Sequence, residues 1–239
     1  AFSGDSVPVH LLTREAFEIY RRHMKPDGII AVHVSNRYLA LGGGALFNGQ
    51  RTGLGDELVL SDGTDAGTTV IDLRPGPGPS TPRLFTRSDD GGAYFLADTT
   101  FPNEVWSSDG TQAGTRRVYS HDPDGGMVFA GLTALGDKVF FAGAPVSAPG
   151  TSNVEPWVLI PADAGLLQLA EVNDAGSSEP RNFVRLGARL YFTASSPATG
   201  REPWVTDGTP AGTFMLGDLT AGPENSLPQF EVINKARLF

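Results

Sequence analysis

Four times in this sequence a glutamate opens the same short string. The fullest copy is Glu202-Pro203-Trp204-Val205-Thr206-Asp207-Gly208-Thr209-Pro210-Ala211-Gly212-Thr213. Glu57 opens ELVLSDGTDAGT, Glu104 opens EVWSSDGTQAGT, and Glu155 opens the eroded EPWVLIPADAGL. The four glutamates recur at intervals of 47, 51 and 47 residues. A period of that size means stacked supersecondary units, each burying a face against its neighbours.

Each unit holds four short strand signals. An aromatic or apolar doublet comes first: Leu46-Phe47, Tyr94-Phe95, Phe140-Phe141, Tyr191-Phe192 and, at the end, Leu238-Phe239. The Glu-x-Trp segment follows, with Trp106, Trp157 and Trp204, and Val59 in the first copy. A third signal follows Gly-Thr, and a fourth follows a loop rich in Gly, Pro and Ser. Short strands joined by Gly, Pro and Asp turns predict an all-β fold. Four of them in one period make a propeller blade. The expectation is a mainly β, propeller-like array of about four four-stranded blades over residues 41–239. Repeats run near 45–92, 93–137, 138–188 and 189–235, and another starts at 236. The 30 glycines and 18 prolines among 239 residues fit so many turns.

The repeated positions are the candidate functional residues: Glu57, Asp62, Glu104, Trp106, Asp109, Glu155, Trp157, Glu202, Trp204 and Asp207. Their first reading is structural and their second is binding. Asp-Gly at 62–63, 109–110 and 207–208 pairs a side-chain acceptor with a residue free to take positive φ, as tight turns require. The third copy has Pro161-Ala162-Asp163 instead, so its turn should be reshaped. A buried tryptophan covers about 150–250 Å², on the order of 4–6 kcal/mol at roughly 25 cal/mol per Å². The tryptophans are therefore expected to anchor the core. Asp62, Asp109 and Asp207 could alternatively offer oxygens to calcium, which needs six or more ligands close together. Otherwise no metal and no cofactor is expected.

No G-x-S-x-G, H-E-x-x-H or phosphate-binding glycine loop occurs, and no catalytic residue is assigned. His121 is the sole histidine of the repeats. A net charge of −9 argues against a nucleic-acid partner. Without cysteine there are no disulfides and no thiolate sites. No apolar run is long enough to span a membrane as a helix.

Residues 1–40 have a different pattern. Val9 to Met24 reads as a helix, capped by Thr13, with Leu12, Ala16, Ile19, Tyr20 and His23 on one face. Pro26-Asp27-Gly28 ends it, and Ile29 to Val34 looks like a strand buried on both faces. That is the start of an α/β layer.

Two resemblances follow from these residues. AFSGDSVPVHLLTREAFEIYRRHMKPDGIIAVHVSNRYLAL resembles the C-terminal half of the spermidine synthase-like family, which has a Rossmann-type fold. In that family an Asp that positions and deprotonates the amine sits just before the position of Ala1, and the nucleotide loop lies further upstream. Neither is part of this sequence. Residues 41–239 resemble the bacterial ELWxxDGT-repeat family through Glu-x-Trp, Asp-Gly-Thr and Ala-Gly-Thr in fixed order. That resemblance implies an exported or cell-surface protein. The leading expectation is a non-enzymatic repeat scaffold that binds a protein or carbohydrate partner. The alternative is a fragment of a spermidine synthase-like aminopropyltransferase or methyltransferase-type enzyme carrying a repeat extension. An open arc with unpaired edge strands would also self-associate.

Overall fold

A computed structural model describes residues 38–41, 44–51, 54–120, 127–145, 153–226, 228, 230, 232–233 and 237–238. The helix expected at 9–24 and the strand at 29–34 lie outside the described residues. Among the described residues every regular element is a β-strand. The α/β fragment has no support among the described residues. Tyr38 to Ala40, assigned above to that fragment, belong to the first strand of the first sheet.

Four antiparallel sheets of four strands follow one another. The first contains β1 (Tyr38–Leu41), β2 (Gly44–Arg51), β3 (Gly55–Ser61) and β4 (Thr68–Ile71). The second contains β5 (Arg83–Arg87), β6 (Ala93–Ala97), β7 (Glu104–Ser108) and β8 (Arg116–Tyr119). The third contains β9 (Met127–Leu135), β10 (Lys138–Pro145), β11 (Glu155–Ile160) and β12 (Gly165–Gln168). The fourth contains β13 (Arg181–Leu186), β14 (Arg189–Ser196), β15 (Gly200–Thr206) and β16 (Phe214–Met215). A last pair, β17 (Val232–Ile233) and β18 (Arg237–Leu238), opens a further sheet.

The hydrogen-bonded sheets are one strand out of phase with repeats counted from the aromatic doublet. The strand that closes each sequence repeat is the opening strand of the next sheet. The first strands abut, β1 on β5, β5 on β9 and β9 on β13, so they lie innermost and the sheets fan outward from them.

Period-two alternation gives each sheet two apolar faces, and in the second and third sheets each face packs on a different neighbour. Leu46, Leu58 and Ile71 of the first sheet meet Phe85, Ala93 and Phe95 of the second. Leu96, Val105 and Val118 of the second meet Phe129, Val139 and Phe141 of the third. Phe140, Val158 and Leu169 of the third meet Leu190 of the fourth. On each incoming face, one aromatic row crosses three strands. In the fourth sheet Phe183 stacks on Phe192 at 5.3 Å, and Phe192 on Trp204 at 6.3 Å. Phe85 and Phe129 pack on Phe95 and Phe141 in tilted pairs, at 5.4 and 4.3 Å. Phe95 then pairs in register with Trp106, and Phe141 with Trp157.

Trp106, Trp157 and Trp204 pack against the core clusters from one end of the row. Phe95, Phe141 and Phe192 are fully buried, whereas Trp106, Trp157 and Trp204 are only partly so. Tryptophan stands third along the row, closer to the outer strand, and phenylalanine fills the core. In the first sheet Val59 occupies the tryptophan position opposite Phe47.

Candidate functional site

The two acidic positions of the repeat have separate structural tasks. All four glutamates, Glu57, Glu104, Glu155 and Glu202, are at most 1% exposed. A carboxylate can be buried only if hydrogen bonds replace its water. Glu57 accepts from Leu73 N at 3.0 Å, Ser80 N at 3.1 Å and Ser80 Oγ at 2.6 Å. Glu155 repeats the pattern with Val172 N at 3.0 Å, Ser178 N at 3.2 Å and Ser178 Oγ at 2.7 Å. Glu202 accepts from Leu219 N at 3.0 Å and Ser226 Oγ at 2.7 Å, and its Oε1 has no partner among the described residues. In each case the third strand is tied to the linker that leads into the next sheet.

This clamp has a sequence signature that the repeat motif alone does not show. The serines lie in Ser80-Thr81-Pro82, Ser178-Glu179-Pro180 and Ser226-Leu227-Pro228, 23 or 24 residues after their glutamates. The second repeat has no Ser-x-Pro, and its glutamate is held differently. Glu104 accepts from Thr99 N at 3.1 Å, Thr99 Oγ1, Thr100 N at 3.2 Å, Ser120 Oγ at 2.8 Å and Arg117 Nη1 at 2.7 Å. Arg117 stands opposite Trp106, where Gln168 and Met215 stand opposite the other tryptophans. Burial pushes the Glu104 carboxyl up, but the Thr99, Ser120 and Thr100 bonds and the Arg117 charge outweigh it and hold it below the usual range. Glu155 has no such cation, and burial leaves its carboxyl raised.

The aspartates build the outer turn. Asp62 Oδ1 accepts from Thr64 N at 2.9 Å and Thr64 Oγ1 at 2.7 Å, and Thr64 Oγ1 accepts from Gly67 N at 3.0 Å. Asp109 with Thr111 and Asp207 with Thr209 repeat these contacts. Gly63, Gly110 and Gly208 take φ of 92°, 93° and 90°, a region that L-residues avoid. At Gly67, Gly114 and Gly212 a Cβ would overlap the aspartate carboxylate, so the second glycine of the motif is there for space. Hydrogen bonds from the threonines lower the Asp62, Asp109 and Asp207 carboxyls. In the third sheet Asp163 Oδ1 accepts from Gly165 N at 2.8 Å in a shorter turn, with Ala164 at φ 56°. The reshaping expected from Pro161-Ala162-Asp163 is present.

The structure therefore keeps the acids of different repeats apart. Among the described residues no three His, Asp or Glu side chains come together as metal ligands. Trp106 and Trp157 each bury Nε1 without an acceptor among the described residues. One charged cluster does join sheets. Asp89, in the β5–β6 turn, receives both Arg185 Nη atoms from the fourth sheet and Gly136 N, at 2.9 Å, from the third. Residue spacing gives no hint of this contact across three sheets.

No family model matches this sequence, and no curated protein does either. The ELWxxDGT-repeat and spermidine synthase-like resemblances are thus not carried by a family match. Among solved structures, puromycin hydrolase superposes on 82% of this chain and 31% of its own at 16% identity, with a TM-score of 0.51. A Mycobacterium tuberculosis puromycin-hydrolyzing peptidase covers 84% of this chain and 33% of its own at 15% identity and 0.47. TolB from Acinetobacter baumannii covers 70% and 38% at 12% identity and 0.44. The chain spans about a third of the length of these solved chains. At such identity the first superposition speaks for fold alone. Taken with four fanned antiparallel sheets meeting at their first strands, it identifies the fold as a β-propeller.

Proposed function

We propose that the chain is a non-enzymatic propeller scaffold of the ELWxxDGT-repeat type, acting at the cell surface and presenting a binding face to a protein or carbohydrate partner. One observation carries this reading: the recurring acids are engaged within the fold. Each glutamate holds a linker, and the aspartates of the three full motifs each hold a turn. Catalysis would need acids or nucleophiles converging on one cleft, and these are spread one per blade. Recognition then belongs to residues that differ between blades.

The test pairs binding with turnover on the intact chain. It is applied to an array of oligosaccharides and extracellular proteins, and to fluorogenic aminoacyl and peptide substrates. Saturable binding without product release is expected. Product release proportional to chain concentration, or no saturable binding to any arrayed molecule, would sink the proposal.

A further inference from the structure

The second and fourth blades enter their innermost strands through matching sequences, Ser80-Thr81-Pro82-Arg83 and Ser178-Glu179-Pro180-Arg181. The backbones match as well. Thr81 and Glu179 take φ of 45° and 46°, and Leu84 and Asn182 take 54° and 58°. Both strands bulge just after the arginine, between Arg83 and Thr86 and between Arg181 and Val184. Asp98 N donates to Ser80 O at 2.7 Å, and Ser195 N to Ser178 O at 2.8 Å. Arg181 therefore holds the place of Arg83, and Ser195 that of Asp98.

In the second blade this arginine is matched by a carboxylate of the chain itself. Arg83 Nη1 donates to Asp98 Oδ2 at 2.9 Å and Nη2 to Asp98 Oδ1 at 2.8 Å, and the guanidinium also donates to Thr81 O and Asn103 Oδ1. The fourth blade has two guanidinium groups for one carboxylate. Arg201, at the position of Asn103, is buried and donates through Nη1 to Glu179 O at 3.0 Å, the carbonyl equivalent to Thr81 O. Its Nη2 donates to Glu179 Oε2 at 3.1 Å. Arg181 stays outside, its side chain 57% exposed and 3.6 Å from the same Glu179 oxygen, its only acidic contact among the described residues. Burial, then the Arg181 charge, hold Arg201 below the usual arginine value against the pull of Glu179.

We infer that Arg181 takes an external carboxylate, an aspartate or glutamate side chain of a partner protein, as Arg83 takes Asp98. The planar guanidinium matches a carboxylate in a two-point pair, and the second blade shows that pair made with an aspartate side chain. Arg181 is the first residue of an innermost strand, so the site lies where the linker enters the centre of the fold. In a chain of net charge −9 a local cationic surplus selects an acidic group at one place, not along the whole surface. The assignment rests on the scaffold reading above and names the chemistry of its partner.

A magnetic resonance titration of the intact chain tests this, with end-blocked Gly-Asp-Gly, end-blocked Gly-Asn-Gly and glucuronate as probes. The Arg181 Nε–H signal should shift saturably with the Asp peptide and not with the Asn peptide. Arg181→Gln removes the guanidinium, and Ser195→Asp supplies the missing carboxylate from within. Each should weaken Asp-peptide binding, followed through backbone amides, by about tenfold or more. An unmoved Arg181 signal, an equal response to the Asn peptide, or full affinity in either variant would overturn the inference and leave the scaffold reading standing. Tighter binding of glucuronate than of the Asp peptide would overturn the assignment to a protein. Product release by the native chain would sink the scaffold reading instead, without touching the Arg181 shift.

Discussion

Ser80 and Glu57 lie 23 residues apart, yet the serine gives both its amide and its hydroxyl to the buried carboxylate. The buried acid takes three donors, the serine amide, the serine hydroxyl and the Leu73 amide. The linker is thereby fixed before the next blade begins.

Glu57→Gln keeps the shape and removes this capacity. The new amide nitrogen can donate but not accept, so it faces the Ser80 or Leu73 N–H donor to donor. A loss of about 2–4 kcal/mol is expected for donors left buried, read from urea unfolding. A loss below about 0.5 kcal/mol, the range of ordinary surface substitutions, would contradict the clamp.

Gly67→Ala should be destabilising only while Asp62 is present. The added Cβ overlaps the Asp62 carboxylate, and Gly67 itself needs no positive φ. Overpacking of this kind costs about 1–3 kcal/mol. In an Asp62→Ala background the penalty should largely vanish, a coupling that a double-mutant cycle measures directly. Equal penalties in both backgrounds would rule out steric overlap.

Stability should fall in acid, and Asp89 should contribute. The Arg185 hydrogen bond holds the Asp89 carboxyl below the ordinary carboxylate value. A depressed folded value means stability present above the unfolded pKa of about 3.9 and lost as pH falls through the folded one. Glu155 has the opposite sign, since burial raises it. Melting curves between neutral pH and pH 3 should show a smaller acid decline for Asp89→Asn than for the native chain. Parallel declines would remove Asp89 from the account.

Trp204→Ala should cost about 2–3 kcal/mol, less than the roughly 3–5 of a fully buried tryptophan. Phe192 beneath it stays in place, and part of the indole already meets solvent. Denaturant melts showing the full-burial value would mean that the indole carries more of the inter-blade contact than its exposure indicates.

Much of the architecture was legible because glutamate, aspartate and glycine recur at fixed spacing. The turn at Asp62-Gly63-Thr64 could be read residue by residue, since all its contacts are local. The phase of the sheets could not. Sequence marks the doublet at Phe95, whereas the hydrogen-bonded sheet begins at Arg83, and nothing local says which neighbour a strand will pair with. The Glu–Ser clamp escaped for the same reason: its partners are about twenty residues apart, and the Ser-x-Pro signal lies in loops that look like ordinary turn chemistry. Side-chain size singles out tryptophan, whereas the centre of the row belongs to Phe95, Phe141 and Phe192, whose burial depends on the neighbouring sheet.

The one-strand offset bears on how such a chain can lengthen. One period of sequence, cut at any point, contains every strand type once, together with one clamp glutamate and one linker. Inserted in tandem, it supplies the strand that the interrupted sheet has lost and takes the neighbouring sheet's strand for its own. Recombination between repeats therefore needs no favoured breakpoint to leave intact sheets behind. Each added unit then has only to match the packing of its nearest neighbours.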